Sequence, residues 1–194
     1  MKIFFFLLLI IINVQSWTKA DDIRDFEIEG ISIGDSLLDF FSEKKIKNFF
    51  NYDDLPSDMK FRIAEFYPDD MKMNIYDAIQ VFYKPNDKKY ILHTISGVVD
   101  CSENTKTACK KIYNEIKKNL SSIFNSNPKE NKSKHFDDKS GKSDVYRYTF
   151  DLDKGKISIS YTDWSKKMDF KDNIMVSVNS NESVIWLQNN YGAN

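Results

Sequence analysis

Glycine, proline, cysteine and histidine are scarce in this chain: six, four, two and two among 194 residues. So few glycines leave no Gly-rich loop of the kind that cradles phosphate. The cysteines, Cys101 and Cys109, lack Cys-x-x-Cys spacing, which sets aside a thioredoxin-like redox pair. No acidic run has the twelve-residue spacing of a Ca²⁺ loop. Charge of one sign is missing as well: 28 basic residues face 29 acidic ones, a formal net charge of −1. That balance argues against a nucleic-acid partner and against an electrostatic membrane binder. After the first residues no stretch is apolar enough to cross a bilayer, so no stable membrane span is expected.

The exception is the start. Lys2 precedes an uninterrupted apolar run, Ile3 to Ile12, followed by small residues up to Ser16 and Ala20. Ten apolar residues are half of what a bilayer core needs, about 20. The pattern reads as a secretory signal peptide over residues 1–20, cleaved after Ser16 or Ala20. No cysteine lies just after the apolar run, so a lipid anchor is not expected. Loss of Lys2 and Lys19 moves the formal charge from −1 to −3. The remaining residues 21–194 suit a single α+β domain, with an expected address in the periplasm or outside the cell. In an oxidising compartment an even cysteine count predicts a Cys101–Cys109 disulfide.

The chain is organised around Phe26 to Phe50. Phe26, Ile28 and Gly30 alternate with Glu27 and Glu29, the period of a half-buried strand. Gly30 and Gly34 predict a turn with positive φ. Ser36 and Ser42 each resemble a helix N-cap, which predicts two short helical pieces with a break near Ser42. Strands are expected over 61–67, 78–84 and 89–99. A helix of about 30 Å is expected over 104–124, from Cys109, Ile112, Ile116, Leu120 and Ile123 at spacings of three and four. Its lysines read as a solvated face, with an anion-binding patch as the alternative. Residues 125–143 are almost devoid of apolar side chains and read as a mobile loop. A meander follows, with Tyr146, Tyr148, Phe150 and Leu152 facing Ile157, Ile159 and Tyr161. The last two strands are expected at Ile174–Val178 and Val184–Leu187, across the turn Asn179-Ser180-Asn181. An echo of Ile28-Glu29-Gly30-Ile31 in Ile95-Ser96-Gly97-Val98 suggests related units over 21–94 and 95–194. The expected architecture is an antiparallel sheet with two helical elements packed on one face.

Little here points to catalysis. Gly30-Ile31-Ser32-Ile33-Gly34 matches a nucleophile elbow in spelling, but the elbow needs a larger parallel sheet and ordered acid and His partners. His93 falls inside a strand, where a packed side chain is the ordinary role. His135 with Asp137 and Asp138 makes no closed metal site. The paired acids Asp21-Asp22, Asp53-Asp54 and Asp69-Asp70 fall in loops or at the new N-terminus. No cofactor and no metal is expected. The aromatics Tyr146, Tyr148, Tyr161 and Trp164, with Trp186, form a candidate binding surface if their sheet face is open, and core if it is covered.

The segments GISIGDSLLDFF, ISGVVDCSENTKTACKKIYNEI and KDNIMVSVNSNESVIWL together resemble a set of uncharacterised secreted alphaproteobacterial proteins. Those carry a similar Gly-x-Ser-x-Gly-Asp-Ser-Leu start, a helix-borne cysteine and a Trp-Leu near the end. The resemblance covers most of residues 21–194 and implies no activity. More distantly, the strand-hook-helix arrangement is similar to the small outer-membrane assembly lipoproteins and the β-lactamase-inhibitor-like fold, although the lipoprotein cysteine is lacking. The expectation is a non-enzymatic periplasmic or secreted binding or interaction module for a protein or glycan of the cell envelope. The alternative is a small periplasmic hydrolase or envelope-modifying enzyme.

Overall fold

The structure is a computed structural model that describes residues 22–48, 59–101, 106–124 and 127–191. The leader expected over 1–20 and the acids Asp21, Asp53 and Asp54 lie outside the described residues.

Strands β1 (Glu27–Ile28) and β2 (Ile31–Ser32) form a two-stranded hairpin. Glu29 and Gly30 close it at φ 53° and 80°, the left-handed pair that matches strand twist. Glu29 is not glycine, and its side chain compensates. Its carboxylate accepts the backbone amides of Asn74, Ile75 and Tyr76 at 2.9, 2.6 and 3.2 Å. The Ser36 hydroxyl caps a single 3-10 turn, Leu37–Asp39, by accepting the Leu38 amide. The Ser42 hydroxyl accepts the Lys45 amide at the start of α1 (Glu43–Asn48). The hook therefore breaks at Ser42, as its two capping serines predict.

The main sheet has seven strands: β3 (Arg62–Phe66), β4 (Ala78–Tyr83), β5 (Leu92–Asp100), β6 (Lys129–Lys134), β7 (Asp144–Leu152), β8 (Gly155–Asp163) and β9 (Asn173–Ser180). Their spatial order is β3-β4-β5-β9-β8-β7-β6, antiparallel throughout. Helix α2 (Lys106–Ile123) carries the chain from β5 to the far edge, and the meander β6 to β9 returns until β9 closes against β5. The fold class is α+β.

Alternation along the strands puts Ile79 and Val81, Ile95, Val176 and Val178, Ile157 and Ile159, and Phe150 on one face. Cys109, Tyr113 and Leu120 of α2 cover that face, together with Ile31, Leu37 and Ile46 of the hook. Tyr113 completes an α2 stripe that spacing placed on isoleucines; Ile112, Ile116 and Ile123 pack only partly buried. The opposite face is polar toward its centre. There Ser96 and Ser177 hydroxyls pair at 2.8 Å, and Thr94 donates to Asn179 Oδ1 at 3.1 Å, so the small hydroxyls satisfy one another.

Two expectations are corrected. Residues 181–191 form a helix, α3 (Asn181–Tyr191), instead of a strand. Ser180, read as part of a hairpin turn, caps that helix by accepting the Ser183 amide. Glu182 in its first turn suits the helix dipole and pairs with Lys60 and Lys84 at 3.0 and 2.9 Å. A contiguous apolar run, Val184 to Leu187, has no period that distinguishes helix from strand. Trp186 is buried as alternation also predicts, but by packing edge-on to Phe61 and Phe82 on the polar side of the sheet. The second correction concerns the stretch expected as a mobile loop. Residues 129–134 are an edge strand paired residue for residue with β7. Both of its faces are exposed, so it carries no apolar alternation, and its lysines suit an edge that must not recruit another strand. Of the two echoing segments, 28–31 spans the tight β1–β2 turn and 95–98 lies in the middle of β5.

Candidate binding site at one end of the sheet

Asp144, the first residue of β7, lies opposite Asp163, the last of β8. The β6–β7 loop (135–143) and the β8–β9 loop (164–172) therefore leave the sheet at the same end. Asp100 at the end of β5 lies opposite Asn173, which brings Cys101 to that end too.

A buried carboxylate organises the first loop. Asp138 is 4% exposed and accepts the Ser140 amide (2.9 Å), the Ser143 amide (2.8 Å) and the Ser143 hydroxyl (2.6 Å). It also accepts the Ser165 hydroxyl of the second loop at 3.0 Å. Hydrogen bonds from Ser140 and Ser143 hold its carboxyl well below the usual carboxylate range, against the opposing effect of burial. Gly141 supplies the positive φ, 65°, that lets the loop double back. Asp172 does the same work in the second loop. It accepts the Trp164 amide and the Tyr161 hydroxyl, both at 2.8 Å, while its carbonyl accepts the Cys101 amide at 2.9 Å.

Four rings meet where the loops meet. His135 stacks on Phe136 at 4.9 Å and lies 4.1 Å from Trp164, which lies 4.8 Å from Phe170. The inner pair is half-buried, while Phe136 and Phe170 stand 61% and 60% exposed. Burial lowers the His135 pKa, against the pull of Asp137 and Asp138, so the imidazole is neutral at physiological pH. The Trp164 indole N–H is buried and meets no acceptor among the described residues. The arrangement is a partly exposed aromatic cluster on two loops in which the amides of Ser140, Ser143, Trp164 and Ser165 are bonded inside the protein.

Of the residues offered as a binding surface, Trp164 is the one that enters this cluster. Tyr161 and Tyr148 are buried under α2, and Tyr146 is half-buried, stacked on Tyr161 at 5.9 Å. Lysines occupy their ring faces: Lys117 lies 4.4 Å from Tyr148, and Lys110 5.3 Å from Tyr146 and 5.8 Å from Tyr161. Burial, and then the bond to Asp172, push the Tyr161 phenol far up. Covered in this way, the three tyrosines build the core and are not an open platform. Phe136 and Phe170 are not among the candidate residues of the sequence, and His135 is weighed there only as a metal contact. Their one sequence signal is a large aromatic isolated in a lysine-rich loop.

The remaining candidates have structural partners. The Ser32 hydroxyl donates to the Phe26 carbonyl within the small hairpin. His93 packs against Phe61 at 5.1 Å, with Glu182 3.4 Å from Nδ1, and burial lowers its pKa. Asp70 accepts the Tyr67 amide and pairs with Lys45. Cys101 and Cys109 form the disulfide, Cα atoms 5.8 Å apart, within the usual span. No group of three or more metal-ligating side chains occurs among the described residues. None of their helices is long and apolar enough to cross a membrane. Comparison with protein-family models, curated proteins and solved structures returned no match to this chain.

Proposed function

We propose that the protein is a non-enzymatic binding module, exported to the periplasm or beyond, that engages a component of the cell envelope through the aromatic end of its sheet. The observation that carries this reading is the ring cluster Phe136–His135–Trp164–Phe170, with its outer residues about three-fifths exposed. Exposed aromatic rings are the side chains that contribute most at contact surfaces. Here they sit on loops fastened by Asp138 and Asp172, so little conformational entropy remains to be lost on binding. The signal-like residues 1–20 and the Cys101–Cys109 disulfide support an oxidising, extracytoplasmic address.

Retention on a washed envelope fraction tests this function. The wild-type chain should be retained, and a folded Phe136→Ser/Phe170→Ser variant should be released. Equal retention of the two would remove the aromatic end as the contact surface.

A further inference from the structure

The charged residues beside the exposed rings divide by direction. Asp138 and Asp172 turn inward and spend their oxygens on loop amides and hydroxyls. Lys139 and Lys142 of the first loop and Lys166 and Lys167 of the second are exposed, and none makes an ion pair among the described residues. Against them stand two exposed acids, Asp137 and Asp169, and the inward Asp138 and Asp172 keep their charge, so that with Lys171, which pairs with Asp100, the two loops hold five lysines and four aspartates, an excess of one. The end of the sheet therefore carries two outward phenyl rings and a local excess of positive charge, on a chain whose overall charge is −1. At physiological ionic strength charges beyond about 8 Å are screened, so the local excess governs what this end attracts, not the whole-chain balance.

Taking the aromatic end as the contact surface, we propose that it is an interfacial docking tip for a lipid bilayer with anionic headgroups. Three observations favour a bilayer over a folded protein partner. Lysine is depleted from the cores of protein–protein interfaces, whereas phenyl rings beside lysines are the composition of surfaces that lie in the headgroup region. The rings are the most exposed part of the cluster, Phe136 at 61% and Phe170 at 60%, placed to enter a soft layer. An apolar layer also penalises unsatisfied backbone groups. In these loops the amides of Ser140, Ser143 and Trp164 are already taken by Asp138 and Asp172. The phenyl rings would enter the acyl boundary while the four ammonium groups meet lipid phosphates, without any segment crossing the membrane.

Vesicle co-flotation tests the proposal. The probes are phosphatidylcholine vesicles containing about a third phosphatidylglycerol, and phosphatidylcholine alone. Wild type and variants share one N-terminus, so any contribution from residues 1–20 cancels. The wild type should float with the anionic vesicles, less so at high salt. Phe136→Ser/Phe170→Ser should lower partitioning about tenfold or more. A Lys139/Lys142/Lys166/Lys167→Gln variant should lose the preference for phosphatidylglycerol. All substituted side chains are exposed, and circular dichroism checks that the variants fold. A folded wild type that ignores anionic vesicles, or a double-Phe variant that floats like wild type, overturns the lipid assignment. If envelope retention still depends on the two rings while vesicles are ignored, the binding module stands and its partner is a protein or glycan. If retention is also indifferent to the rings, both readings fall.

Discussion

The His135 imidazole lies 4.1 Å from the Trp164 indole, and this contact joins two loops that are separate in sequence and adjacent in space. Protonation would place a charge where the neutral ring is packed. Burial accordingly lowers the His135 pKa below its ordinary value. The unfolded chain, with a histidine near 6.5, then binds the proton first as pH falls. Stability is fully present above about 6.5 and declines below it. Urea midpoints measured between about pH 7.5 and about pH 5.5 should fall for wild type and fall less for His135→Gln. An identical slope in the two proteins would mean that His135 does not titrate on folding. His93, also lowered by burial, contributes in the same direction.

A second acid step should follow. Hydrogen bonds hold the Asp138, Asp144 and Glu182 carboxyls below their ordinary values, from Ser140, Lys134 and Lys84 respectively. Depressed carboxyls stabilise above their unfolded values, near 4, and that stability disappears as pH falls further. Hydrogen exchange of the Ser140 and Ser143 amides, both bonded to Asp138, should accelerate in Asp138→Asn relative to wild type near neutral pH. Unchanged protection would show that the loop is held by something other than this carboxylate.

Cys101 and Cys109 are both buried and eight residues apart. Alkylation before reduction should label neither sulfur in the oxidatively folded protein. Replacing both with Ser should cost about 2–3 kcal/mol in the chain-entropy account. Two labelled thiols in unreduced material would remove the bridge from the native state.

Trp186 fills the corner between Phe61 and Phe82 at ring separations of 5.4 and 5.9 Å. Trp186→Ala should cost about 3–5 kcal/mol by denaturant midpoint. Its neighbour Ile185 is 57% exposed, and Ile185→Ala should stay within about 0.5 kcal/mol. A large loss at Ile185 would contradict the helical placement of this segment.

The Tyr76 ring lies against Gly97 so closely that a Cβ there would stand 2.5 Å from ring carbons. Gly97→Ala must displace a partly buried ring whose phenol is pushed up to about 12 by desolvation. A cost of about 1–3 kcal/mol is expected from thermal melts. An unperturbed melting temperature would show that the ring moves aside freely.

How much of this was legible depended on how local the cause was. The hook broke where Ser36 and Ser42 said it would, because a cap is a bond between residues two or three apart. Helix α2 announced itself by spacing, and the cysteine pair by count and separation. Strands buried on one face kept their alternation. Edge strand β6 had no such signal, since both of its faces are exposed and its pairing is made by backbone groups that every sequence carries. Helix α3 and a strand spell Val184 to Leu187 alike, and the decision came from Ser180 as a cap and from the Phe61–Phe82 corner waiting for Trp186. Composition and short-range bonding thus determined the α+β class, the hook, α2 and the disulfide. Tertiary structure alone decided which tyrosines vanish beneath lysines and which phenylalanines reach solvent. Residues 135–136 and 164–170 are joined by strand register and inward-turned carboxylates, contacts between positions that have no period or spacing in common.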